Sequence, residues 1–172
     1  MQKVDKKLIL LRIISVLIFL FLPISTQAEQ HNFEIALMDG VIDFDNGPNE
    51  FVFGSRISWV ISHYSLEFNF NYVPRKGNDL IFYNINGLIE ISNFGKDNDY
   101  PQLIPFAIGG IGRTHCIGEN GWDEISYNVG AGVKIYKSKN LGVRADFREH
   151  FYWHRNELKL NIEICGGILF KF

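Results

Sequence analysis

The chain is short of cysteine, carries no charge of one sign in excess, and has no long apolar run beyond its first 28 residues. Lysine and arginine number 17 against 19 aspartate and glutamate, and no basic stripe offers a surface for nucleic acid. Past the start, no stretch approaches the roughly 20 apolar residues a spanning helix needs, so any membrane association must run through strands. Repeats, linkers and low-complexity segments are also missing, which leaves a single domain as the expectation.

The start reads as a signal peptide over residues 1–28. Lys3, Lys6, Lys7 and Arg12 form a basic opening, Ile13 to Leu22 an apolar core, and Pro23 breaks it. Thr26-Gln27-Ala28 places small residues where a leader peptidase reads, so cleavage is expected before Glu29, leaving residues 29–172 as the mature domain.

Beyond the leader the chain alternates. Runs rich in β-branched and aromatic residues, separated by clusters of Asn, Gly, Asp and Pro, predict eight strands. They begin at Phe33–Met38 and continue over Phe51–Ile61, Tyr64–Tyr72, Leu80–Ile91, Gln102–His115, Glu124–Tyr136, a seventh from Leu141, and an eighth closing the chain. The eighth places Leu158, Leu160, Ile162, Ile164, Ile168, Phe170 and Phe172 on one face and Lys159, Asn161, Glu163 and Lys171 on the other. In the fifth, Pro105 and three glycines blur the parity. Strands of about ten residues, apolar on one face and polar on the other, fit an all-β, eight-stranded antiparallel up-and-down transmembrane β-barrel. Trp59, Tyr72, Tyr136, Tyr152 and Trp153, near strand ends, suit interfacial aromatic girdles.

The polar faces collect Arg56, Glu67, Glu90, Lys134, Arg144, Asp146, Arg148, Lys159, Glu163 and Lys171, with both signs in similar number. An eight-stranded barrel is just wide enough for side chains to fill, and buried charges need partners. These residues are therefore expected to form an ionic plug rather than line a channel. Parity alone does not say which face is inside, and a soluble lipocalin-like carrier of a small apolar ligand would use the opposite orientation.

Three stretches carry a resemblance. Pro105-Phe106-Ala107-Ile108-Gly109-Gly110-Ile111-Gly112, then Tyr127 to Tyr136, then Asn140 to Arg148 resemble, in order, the fifth strand, the sixth strand and the turn into the seventh of the OmpA/OmpX-like and opacity-like group of outer-membrane β-barrel proteins. Phe172, with Phe170 and Ile168 on its face, resembles the carboxy-terminal signal read by the barrel-assembly machinery. The resemblance implies insertion into a bacterial outer membrane by that machinery, a non-enzymatic structural or surface-interaction role, no cofactor, and contacts with outer-membrane lipid and an unidentified envelope or extracellular partner. Both termini would lie on the periplasmic side, with Asp39 to Glu50, Val73 to Asp79, Cys116 to Asp123 and His150 to Glu157 as outer loops and Ser62-His63, Asn93 to Pro101 and Lys137 to Asn140 as periplasmic connections.

Three constellations could carry chemistry. His63 and Ser65 have the His-x-Ser spacing of lipid A deacylase barrels, with Glu67 on the same face, but both would point into the lumen at the periplasmic end. His150, His154 and His115 could approach a metal from neighbouring loops, although histidines at a membrane interface are commonly just surface groups. Cys116 would top the fifth strand and Cys165 lie mid-strand in the eighth, and strands that far apart around a barrel rarely bring alpha carbons within the roughly 7 Å a disulfide allows, so two free thiols are expected. No catalytic residue and no metal site is assigned.

Overall fold

The computed structural model describes residues 32–44, 47–91, 101–118 and 121–172. The leader, and most of the connection expected at Asn93 to Pro101, lie outside the described residues.

Eight antiparallel strands, each paired with its neighbours in chain order, close into a barrel: β1 (Asn32–Phe44), β2 (Glu50–Ile61), β3 (Tyr64–Val73), β4 (Asn78–Glu90), β5 (Gln102–Gly118), β6 (Trp122–Tyr136), β7 (Leu141–His154) and β8 (Glu157–Lys171). The pairing of β1 with β8 leaves no free sheet edge. Phe172 extends the closure, its amide donating to the Phe33 carbonyl at 2.8 Å. Following the register from Glu34 through Ser58, Glu67, Asn86, Gly110, Asn128, His150 and Asn161 returns to β1 at Phe44. That displacement of ten residues (34 to 44) is the shear that closing eight tilted strands requires.

Several strands run further than their sequence pattern predicts. β1 reaches Phe44 rather than Met38, β5 reaches Gly118, and β7 continues through His150 to His154. The expected outer loop from His150 to Glu157 is mostly strand, closed by the two-residue turn Arg155-Asn156, both at positive φ. A pair of left-handed residues matches the twist of a tight hairpin. The polar residues that suggest loops, Asp43 and His150 among them, stay in register with the neighbouring strand. At the other end, Ser62 (φ 59°) turns β2 into β3 at the expected place.

The fold orients every face. One outward side chain per strand, Leu37, Phe53, Phe68, Ile85, Ile111, Val129, Phe147 and Ile164, makes an exposed apolar ring around the barrel. A contiguous apolar surface on this scale marks an interface with something other than water. The polar face points inward. That is opposite to the orientation a lipocalin-like carrier requires.

The fifth strand's parity is resolved: Phe106, Ile108, Gly110 and Gly112 point in, and Ile111 points out. Gly110 is there for space, since a Cβ would lie 2.4 Å from the Ile85 carbonyl oxygen and 2.0 Å from Asn86 Oδ1.

Candidate functional site: the charged lumen

The centre of the lumen holds three guanidinium groups, Arg56 on β2 and Arg144 and Arg148 on β7, and three carboxylates, Glu67 on β3, Asp146 on β7 and Glu163 on β8. All six are buried. Alternation fixes the placement: Arg144, Asp146 and Arg148 are spaced by two, so one strand aims all three inward.

Glu67 is held by Arg144 Nη1 at 2.6 Å and Arg148 Nη2 at 3.0 Å, with Asn86 Nδ2 at 3.2 Å and Ser58 Oγ at 3.3 Å. Asp146 receives Arg144 Nε at 2.8 Å and Arg148 Nη2 at 2.5 Å, and Arg56 Nε lies 3.7 Å away. Glu163 receives Arg56 Nη2 at 2.6 Å and Asn71 Nδ2 at 2.6 Å, and pairs with His150 Nε2 at 2.9 Å. Arg56 Nη1 also donates to Asn69 and Asn71.

The network therefore joins opposite walls of the barrel, and its three guanidinium groups balance its three carboxylates. A buried pair needs its remaining donors and acceptors filled, and the asparagines of β3, β4 and β6 supply that surround.

A second cluster sits at the end where β1 begins and β8 finishes, the barrel's own termini. Lys134 Nζ lies 2.7 Å from Glu34 and 2.9 Å from Glu90, and the Tyr136 hydroxyl donates to Glu34. The Phe106 ring lies between the clusters, 4.7 Å from the Arg144 guanidinium carbon and 5.8 Å from Lys134 Nζ. Two residues expected in the charge network stand apart from it. Lys159 pairs with Glu157 at 2.6 Å on a half-exposed rim, and Lys171 Nζ sits 5.4 Å from the Tyr136 ring centre.

Sequence reasoning misses several participants. Glu34 is hidden because the first strand is short of clear alternation, and His150 because its surroundings read as loop. Tyr136 and Tyr152, expected in the outer girdles, are buried in the lumen at 2% and 5% exposure, while Trp59 and Trp153 do face outward. Parity holds the signal, since Tyr136 shares a face with Lys134 and Tyr152 with Arg148.

The lumen also carries apolar residues toward the end opposite the termini: Ile42, Phe44, Val52, Val73, Leu80 and Phe82 are buried there. Arg75, in the β3–β4 connection, stacks over Phe44 at 4.6 Å. The barrel is filled by side chains at both ends and in the middle.

The other constellations do not assemble. His63 lies exposed in a turn, Ser65 points into the lumen with its hydroxyl unpartnered, and Glu67 is engaged by arginines. Ser65 therefore has no histidine in hydrogen-bonding contact to activate it. His150 and His154 face inward and His115 faces outward, so the three imidazoles do not converge. Among the described residues no group of three His, Cys, Asp or Glu side chains is placed to hold a metal ion. Cys116 and Cys165 are both buried and free.

This is a closed eight-stranded antiparallel β-barrel of the kind seen in outer-membrane barrel structures. Among solved structures, the N-terminal β-barrel domain of Pseudomonas aeruginosa OprF is similar at a TM-score of 0.64 and 15% identity, over 83% of this chain and 98% of that one. Neisserial surface protein A (NspA) is similar at 0.64 and 12% identity, over 82% and 96%. A de novo designed transmembrane β-barrel is similar at 0.50 and 16% identity, over 86% and 100%. No family model matches the chain, and no curated protein matches it by sequence.

Proposed function

We propose that this protein is an integral barrel of a bacterial outer membrane, exported by the leader at residues 1–28, with a structural or surface-interaction role and no enzymatic one. The observation that carries the reading is the inversion of polarity: an exposed apolar ring outside and six buried, mutually paired charges inside. In water that arrangement wastes the apolar surface, whereas in lipid both halves are satisfied.

In this reading, the lumen is a plug. Conduction would require the central ion pairs to part, and the apolar side chains beyond them would still obstruct the path. Partners meet the barrel through lipid on its sides and through its connections at the end opposite the termini. A lipid A-modifying activity is disfavoured by the Ser65 hydroxyl's lack of a histidine partner and by the engagement of Glu67.

The outward face of the closing strand, Ile168, Phe170 and Phe172, serves as the signal for the barrel-assembly machinery. The test is Phe172→Ser expressed in cells. The folded, outer-membrane-embedded fraction is expected to fall several-fold, while the same variant refolded in detergent keeps nearly wild-type stability. Equal outer-membrane assembly of variant and wild type would remove the assembly role.

A further inference from the structure

The outward surface is not uniformly ridged. Two neighbouring register rows cross β2 to β5. One is Ser55, Phe70, Tyr83 and Arg113, and the other runs from Ile57 to Ile111. Between them lies an apolar groove of about 500 Å³, floored by the backbone of Asn84 and Gly112. Ser55 keeps one end open because it is the smallest member of its row. Arg113 closes the other end, toward the rim opposite the termini, with its side chain 54% exposed.

Four strands about 4.8 Å apart give the groove a length of roughly 14 Å. Because the strands of such a barrel tilt by about 35–45°, the groove climbs roughly 8–10 Å toward the rim, within the depth of about 15 Å that one leaflet's hydrocarbon provides. Asp123 Oδ1 sits 3.1 Å from Arg113 Nε, which orients the guanidinium while the Arg113 side chain stays more than half exposed. A cationic, two-pronged donor at the mouth of an apolar slot matches a lipid whose chain enters the slot and whose phosphate meets the guanidinium.

We infer that this groove is a binding site for one acyl chain of a phosphate-bearing lipid, with Arg113 as the headgroup anchor. The inference rests on the membrane-barrel reading above. The phosphate chemistry is shared by glycerophospholipids and by lipid A, and the groove distinguishes both from phosphate-free lipids.

The test uses the purified full chain, refolded in neutral detergent and incubated separately with phosphatidylglycerol, with lipid A and with a phosphate-free diacyl glycolipid. Native mass spectrometry then counts retained lipid. The wild type is expected to retain one phosphate-bearing lipid about tenfold more than the glycolipid, the ratio a charge-assisted hydrogen bond supplies. Retention of lipid A alone would identify an outer-leaflet ligand, and retention of both would identify any phosphate-bearing lipid; either supports the site. Arg113→Gln is expected to abolish the preference, and Ser55→Trp, which fills the slot, to abolish retention of all three.

Retention unchanged in both variants, or no phosphate preference in the wild type, would overturn the site. Should Ser55→Trp fail to fold, Arg113→Gln decides alone, since its side chain projects outward. A wild type whose gel mobility did not depend on heating would instead overturn the barrel reading, so the two failures are separable.

Discussion

Replacing Glu67 with alanine is expected to destabilise the folded barrel by about 3–5 kcal/mol, the cost of breaking a buried ion pair from one side. Glu67 takes a guanidinium hydrogen bond on each of its oxygens, from Arg144 and from Arg148, and Ser58 and Asn86 complete its surround. Without it, three arginines face two carboxylates in a closed lumen. Urea unfolding of the protein folded into lipid vesicles would measure the loss. Removing Arg148 as well, as Glu67→Ala with Arg148→Leu, is expected to recover part of it, because the charge count balances again. A single-variant loss below about 1 kcal/mol would mean that the network is hydrated rather than sealed.

The second large effect tests the outside. Ile164 lies in the middle of β8, between Val41 and Phe147 in register, and is 60% exposed. Its replacement by arginine is expected to cost about 2–4 kcal/mol when the barrel is folded in a bilayer, the penalty for a cation near the midplane. The same substitution on a water-exposed strand would cost no more than about 0.5 kcal/mol. Leu158→Arg, next to the Arg155-Asn156 turn, supplies the internal control. It projects outward on the same strand but at the barrel rim, where the cost is expected to fall to about 0–1 kcal/mol. Equal effects at Ile164 and Leu158 would remove the depth dependence that lipid imposes.

Much of this architecture is legible in the sequence because the strand period is two and most strands of the barrel follow it. Tyr64 to Tyr72 and Leu141 to Arg148 show which residues share a face without any tertiary information. Strand ends are harder to read. Asp43, His150 and His154 are the polar residues that usually mark loops, yet pairing carries them along with the ladder.

Within the lumen, the charges are legible but their partners are not, since Arg56 meets Glu163 across 107 residues and Glu67 meets Arg144 across 77. Such contacts depend on closure and shear, which periodicity does not encode. The apolar lumen residues Val52, Leu80 and Phe82 are obscured for a related reason. A polar-in, apolar-out rule has no place for inward hydrophobes at the end of a filled barrel, where they pack against one another rather than against lipid or water.

Whether this chain is a folded barrel embedded in an outer membrane can be read from a single gel. Cells are fractionated, and the outer-membrane fraction is run in dodecyl sulfate with and without boiling. A closed barrel with a sealed ionic core resists the cold detergent, so a band is expected in that fraction whose mobility shifts on boiling. A band confined to the soluble periplasmic fraction, with the same mobility before and after boiling, would be incompatible with a membrane-embedded barrel.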